Sequence, residues 1–323
     1  MPESSVAPIY FETYATGIFD EIKDRFQKAH SEMSEAERYF LNGIVRYFKP
    51  KKILEIGVSA GASSVIILNA IKDIHEAKLY SVDLSRQYYK AKDKPTGFVV
   101  NNSFPDLAAL NKWDLKTGGL VYKFIDEIKD GIDLCFIDTT HSRPGEILDY
   151  LMVLPYLSPA CVVVIHDTAY HMFLDKPPGG PCGLLFSVIR GEKYSLTKSG
   201  DNWVLPNIGA VVCDGSNRTD AISVFNLLSL RWEQQTFTPK SIQDIRAFFS
   251  RHYSERELCW FDMSYENQIK QAQHKIQKEQ KEQAKIQKEQ IAISQEIKYS
   301  LSKKIKAYAL FPWYLYRSLH KQK

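Results

Sequence analysis

Residues 137–141 read IDTTH and residues 164–167 read VIHD. Each is an apolar run that ends on an acid with a histidine close by: Asp138 with His141 three residues on, and His166 beside Asp167. Two carboxylates brought to one place suit a hard divalent cation such as Mg²⁺, which takes oxygen ligands and keeps waters that a substrate diol can displace. An imidazole beside them can serve as a base, because a hydroxyl is a poor nucleophile until its proton leaves or a metal makes it more acidic. A second set lies at residues 54–61, LEIGVSAG. Gly57 and Gly61 let a backbone turn sharply and approach a ligand with no Cβ in the way. Their G-x-x-x-G spacing is neither the G-x-G-x-x-G dinucleotide pattern nor a Gly-Lys-Ser/Thr phosphate loop, so a ligand without a pyrophosphate is expected. Asp83, 26 residues after Gly57, is suited to accept hydrogen bonds from a ribose diol.

These residues need elements that carry them to one edge. KILEIGV (52–58), KLYSVDL (78–84), IDLCFID (132–138) and CVVVIHD (161–167) read as strands. SSVIILNAIKDI (63–74), GLVYKFIDEIK (119–129) and EILDYLMVLPYL (146–157) read as helices between them. Strands apolar on both faces belong to a parallel sheet covered by helices, and such sheets bind ligands beyond the carboxyl ends of their strands. The expected fold is α/β: a doubly wound, mostly parallel sheet with an antiparallel C-terminal hairpin (YSLTKS and NIGAVVCD) and a long C-terminal helical extension. The expected division is N-terminal helices over 1–50, a core over 51–215, a helical closure over 216–263 and a tail over 264–323. Within 1–50, two helices are expected over 14–49, the second opened by a capping box, Ser34 with Glu37. Residues 86–106 read as a polar excursion, 184–190 as a helix, and the Pro- and Gly-rich stretch after 170 as a loop over the strand ends, with Tyr170 and His171 as candidate substrate contacts.

A chain of 323 residues, 44% hydrophobic and 25% charged, has the composition of a soluble globular protein. Its five cysteines are scattered and form no CxxC site, as expected of reduced thiols in a cytoplasm. MPESSVAPIYF has no basic stretch followed by an apolar one, so no secretory signal is expected, and the apolar runs are too short to span a bilayer. The net charge of +4 is uneven: residues 264–323 hold 13 Lys+Arg against 5 Asp+Glu, which leaves the first 263 residues net acidic. An acidic body gives no support to nucleic-acid binding.

EIGVSAG and SVDL resemble the first and second motifs of the class I S-adenosylmethionine-dependent methyltransferases, and the resemblance spans roughly residues 35–215. It implies that Gly57, Ser59 and Gly61 line the methionine end of the cofactor, that Glu55 supports that loop, and that Asp83 holds the ribose. TGGL (117–120) falls where that family often contacts adenine, which brings in Gly118. IDTTH followed by VIHD resembles the metal-dependent sugar O-methyltransferases of macrolide biosynthesis and the related cephalosporin-hydroxylase-like group. That likeness implies Asp138 and Asp167 as metal ligands and His141 as base. The group often has a third carboxylate just after the first acid or just before the last; here those positions are Thr139 and His166. An imidazole ligand at His166 would suit Mn²⁺, Fe²⁺ or Zn²⁺ better than Mg²⁺.

Plainer readings stand beside these. The glycine turn could be a tight connection with no ligand. Asp138 could accept backbone bonds at the next helix start, Asp167 could be a turn acid, His141 a structural histidine, and His166 a support for the site rather than a ligand. Base-methylating enzymes of the class carry Asn/Asp-Pro-Pro-aromatic after the fourth strand, whereas this chain has Asp-Thr-Thr-His. A small-molecule or glycan hydroxyl is therefore the expected acceptor, with surface polysaccharide as a context by analogy only.

The tail repeats KIQKEQ at 275–280 and 285–290, and its apolar residues keep an imperfect seven- or four-residue spacing. A long exposed helix is expected, with coiled-coil pairing into a homo-oligomer as one outcome. Trp313, Tyr314, Tyr316 and Arg317, with Lys303, Lys304 and Lys306, would suit a peripheral segment at the inner face of a membrane; a protein partner is the other reading. The alternative to an enzyme is a non-catalytic scaffold that recruits partners through this helix.

Overall fold

The computed structural model describes residues 22, 24–26, 31–169, 180–196, 198–199, 202–203, 205–233 and 237–319. The chain divides into two units, Met1–Tyr265 and Glu266–Lys323.

The first unit is built on β1 (Lys52–Ile56), β2 (Lys78–Asp83), β3 (Trp113–Thr117), β4 (Ile132–Ile137), β5 (Leu157–His166), β6 (Gly191–Ser195) and, after a two-stranded ribbon of β7 (Lys198–Ser199) and β8 (Asn202–Trp203), β9 (Ile208–Cys213). The seven longer strands lie in the order β3-β2-β1-β4-β5-β9-β6. Strands β1 to β5 pair in parallel, and β9 runs antiparallel to both β5 and β6. This is the mostly parallel, doubly wound sheet with an antiparallel hairpin that the sequence leads one to expect. Strand order reverses between β1 and β4, so their carboxyl ends open a crevice at which such sheets take ligands.

Successive strand residues point to opposite faces, and here both faces are buried. Ile53, Leu79, Leu134, Phe136 and Val164 pack under helices α1 (Glu35–Phe48) and α2 (Ala62–Ile71). Leu54, Ile56, Cys135 and Val163 pack under α3 (Gly145–Val153), α4 (Pro181–Val188), α5 (Pro239–Phe249) and the start of α6 (Glu255–Leu319), through Leu151, Met152, Leu185, Phe249 and Phe261. Each large side chain so buried contributes about 1.5–3 kcal/mol relative to exposure.

Several elements differ from expectation. β3 occupies a stretch that had no element assigned: WDLKT is half-polar because it is the edge strand and only partly buried. The stretch 119–129 forms two short turns, Val121–Lys123 and Ile125–Ile128, rather than one helix. The excursion at 86–106 contains a helical turn, Phe98–Ser103, that buries Phe98, Val99 and Val100. β5 starts at Leu157, and α4 ends at Val188. Residues 14–21 and the loop with Tyr170 and His171 lie outside the described residues.

In the second unit the helix continues, and every side chain from residue 269 to 306 is exposed. The side chains of Trp313, Tyr314 and Tyr316 lie outside the described residues. No helix among the described residues is long and apolar enough to cross a membrane.

Candidate active site

The turn after β1 depends on glycine. Gly57 has φ +89°, and a Cβ on it would stand 1.7 Å from the carbonyl oxygen of Asp138. Gly61, at φ +97°, opens α2, and a Cβ there would meet the Cα of Gly97 at 2.9 Å. Between them, the amides of Val58 and Ser59 both donate to Asp83 Oδ2 at 2.9 Å, while Oδ1 accepts from the Ser85 amide at 2.7 Å. Asp83 therefore ties the ends of β1 and β2 together and shapes the loop, besides facing the cavity that the loop borders.

Glu55 lies behind that loop. It is fully buried and accepts from the hydroxyls of Ser63 (2.6 Å), Ser64 (2.6 Å) and Ser81 (2.5 Å). Burial pushes its carboxyl up to about 7 against the pull of those three donors.

The cavity holds about 680 Å³ and is bordered by Gly57, Ser59, Asp83, Asp138, His141 and Asp167, among others. Two expected cofactor contacts, Gly61 and Gly118, do not line it, and neither does Glu55, expected to support the loop. Glu55 is sealed beneath the turn, Gly61 turns toward Gly97, and Gly118 (φ +87°) faces Arg86, whose Nε would lie 2.6 Å from an added Cβ. On that side the wall is Gly119, Leu120 and Val121, one residue further along.

The four rim residues meet. His141 Nδ1 lies 3.1 Å from Asp167 Oδ2, and its Nε2 lies 3.7 Å from Asp138 Oδ1. His166 Nδ1 stands 3.4 Å from both Asp138 Oδ1 and Asp167 Oδ2. Both His141 (φ 53°) and Asp167 (φ 57°) adopt left-handed backbone that L residues rarely take, as residues at functional sites often do.

Four further residues, missed in the sequence, complete the cluster. Glu37 Oε1 lies 3.5 Å from His166 Nε2, while its Oε2 caps α1 through the Ser34 amide. Asn207, just before β9, donates to both Asp167 Oδ1 (2.8 Å) and Glu37 Oε1 (3.1 Å). Glu146 and Asp149, on the first turns of α3, both stand within 3.1 Å of the Thr139 hydroxyl, and Glu146 also accepts from the His141 amide. The capping box was visible in the sequence; the second duty of Glu37 was not, because His166 lies far along the chain.

Electrostatics separate these acids. Burial opposes charge on His166, but Asp138, Asp167 and Glu37 outweigh it and hold its pKa well above the ordinary value. Burial likewise works against the Glu37 carboxylate, yet His166 brings it down to about 2. Burial raises Glu146, and burial together with Glu146 pushes Asp149 up to about 7. His166 thus stands among three carboxylates, Glu37, Asp138 and Asp167, as their charge partner. The remaining set does suit a cation: among the described residues, Asp138, His141 and Asp167 offer ligand atoms within 4.8 Å of one another.

Residues 54–168 match a family model described as a methyltransferase domain. That stretch runs from β1 to just past Asp167 and so contains the glycine turn, Asp83 and all four rim residues. Residues 54–168 are thus similar to a methyltransferase domain, set on the sheet order described above. No curated protein matches the chain. Among solved structures it is similar to the O-methyltransferase TomG from Streptomyces achromogenes, involved in tomaymycin synthesis and crystallised with S-adenosylmethionine, at 16% identity and a TM-score of 0.45 over 64% of this chain and 95% of that one. It is also similar to an O-methyltransferase from Bacillus cereus in complex with S-adenosylhomocysteine, at 18% identity and a TM-score of 0.45 over 62% and 99%. Cofactor-bound Rv0187 from MTB gives 11% identity and 0.46 over 66% and 99%.

Proposed function

We propose that this methyltransferase acts on oxygen, moving the methyl group of S-adenosylmethionine to a hydroxyl of a sugar or another small polyol. The observation that carries this is the convergence of Asp138, His141 and Asp167 on the cavity that the glycine turn borders. Methyl transfer from a sulfonium is an in-line displacement, and alignment of nucleophile and donor in one water-poor site supplies much of its rate. Gly57 and Ser59 would receive the cofactor, with Asp83 holding their loop and meeting the ribose.

Asp138 and Asp167 would hold Mg²⁺ or Mn²⁺, which when bound makes a coordinated hydroxyl more acidic. His141 would take the hydroxyl proton at whichever ring nitrogen faces the acceptor. Asp167, 3.1 Å from Nδ1, favours the tautomer that carries its proton there, which puts the accepting lone pair on Nε2. Glu37, His166 and Asn207 keep the two acids fixed from below.

The test is transfer of isotopically labelled methyl to a panel of neutral sugars and polyols, with and without Mg²⁺ or Mn²⁺. Label recovered as a methyl ether, and lost on chelation, supports the proposal. Label on nitrogen or on a carboxylate, or turnover indifferent to chelation, contradicts it.

A further inference from the structure

Beside His141, whose Nδ1 lies 3.8 Å from Glu146 Oε1 as well as 3.1 Å from Asp167 Oδ2, the first turns of two helices meet. Glu146 is the second residue of α3 and Cys182 the second of α4, and these helices pack on one another. Both side chains are closed to solvent, Glu146 at 0% exposure and Cys182 at 1%. The Cys182 sulfur, a Glu146 carboxylate oxygen and a His141 ring nitrogen all lie within 4.8 Å of one another.

A second observation points to a ligand there. Glu146 Oε1 is engaged by the His141 amide and the Thr139 hydroxyl, but Oε2, equally buried, has no hydrogen-bond partner among the described residues. A buried carboxylate oxygen left unmet is costly. A proton or a cation would relieve it, and the neighbouring groups select the kind of cation. One thiolate, one imidazole and one carboxylate form the mixed sulfur–nitrogen–oxygen set that suits Zn²⁺ and other thiophilic ions, whereas Mg²⁺ takes oxygen.

We propose that His141, Glu146 and Cys182 form a second metal site, selective for thiophilic divalent ions such as Zn²⁺ and distinct from the carboxylate set of Asp138 and Asp167. Three protein ligands leave the fourth tetrahedral position for a water, and His141 borders the cavity from which that water and the ion would enter. Tetrahedral bond lengths place ligand atoms roughly 3.5 Å apart, and His141 Nδ1 already lies 3.8 Å from Glu146 Oε1. Burial, with Glu146, Asp167 and Asp138 close by, pushes the Cys182 thiol up; binding would form the metal–sulfur bond and release the thiol proton to solvent. His141 cannot serve both sets at once. Where it is the base, as proposed above, a thiophilic ion would silence the enzyme by holding it.

The site is tested with metal alone, which keeps its failure separate from that of the methyl-transfer reading. Co²⁺ added to the full chain should give a thiolate-to-cobalt charge-transfer band that Zn²⁺ abolishes. The band should be retained in Cys259→Ser, which removes the exposed cysteine, and in Asp138→Asn. It should vanish in Cys182→Ser, with Zn²⁺ affinity falling at least tenfold in a chelator competition. Glu146→Gln, expected to weaken the band, decides the matter if Cys182→Ser does not fold. Absence of the band, its survival in Cys182→Ser, or an unweakened band in Glu146→Gln would overturn the proposal.

Discussion

Gly57 and Asp138 meet backbone to backbone: a Cβ at residue 57 would overlap the carbonyl oxygen of residue 138 at 1.7 Å. The glycine turn after β1 and the acid that ends β4 thus form one junction between adjacent strands, braced further by the Asp138 amide donating to Ile56 O at 2.9 Å. Donor and acceptor sites cannot drift apart without breaking that seam.

Gly57→Ala is therefore expected to do more than strain a positive φ. Gly131 also has positive φ, at +80°, but nothing lies within 4 Å of its missing Cβ. Gly131→Ala should cost about 1–2 kcal/mol in chemical denaturation, and Gly57→Ala clearly more, with S-adenosylmethionine binding lost. Equal costs for the two would show that the junction yields.

Glu55 gives stability a pH dependence of predictable sign. Its folded pKa of about 7 stands above the ordinary 4.5, so the native state binds more protons than the unfolded one in between. Stability is then greatest at and below about 4.5 and falls as pH rises to about 7, by about 3 kcal/mol for a shift of this size. Glu55→Gln should make that slope shallower in denaturation curves taken across the window, without abolishing it, because Asp149 is also pushed up to about 7. A parallel slope in both proteins would show that another group titrates.

His141→Ala should leave cofactor affinity within about twofold and lower turnover by about 10²–10⁴, the usual contribution of a general base. Isothermal titration paired with turnover on the accepted sugar reads both. Unchanged turnover would remove His141 as base.

The helical tail carries an apolar stripe at Ile293, Ile297, Leu301 and Ile305, exposed by 53–65%, with Lys298, Lys303, Lys304 and Lys306 around it. Such a pattern suits an anionic bilayer surface, at about 1 kcal/mol per basic residue near the surface. The full chain should float with vesicles containing phosphatidylserine, and a chain ending at Met263 should not. Equal flotation of the two would dismiss the idea.

The sheet was legible because strands β1, β2, β4 and β5 are apolar on both faces, and the helices Ala62–Ile71 and Gly145–Val153 between them are apolar runs buried along their whole length. β3 was not, since at the sheet edge Asp114 and Lys116 can stay half-exposed and give the strand a polar signature. Asp138, His141 and Asp167 could be picked out because each ends, or soon follows, a strand whose exit is a known ligand edge. Glu37 and Asn207 could not, since they reach His166 and Asp167 from distant parts of the chain. Glu146 looked like an ordinary acid in a first turn, which favours negative charge; its burial against His141 and Cys182 is a tertiary fact. Glu55 lies behind the glycine turn as a buried acceptor of three hydroxyls rather than in the wall of the cavity.

The most direct test of the central claim is calorimetry of S-adenosylmethionine binding to the full chain and to Asp83→Ala. Asp83 takes both loop amides on one oxygen, and loss of two charged hydrogen bonds at about 1.5–3 kcal/mol each predicts clear binding to the unaltered protein and at least tenfold weaker binding to the variant. Absence of binding heat from the unaltered protein, or equal affinity in the two, would contradict the account.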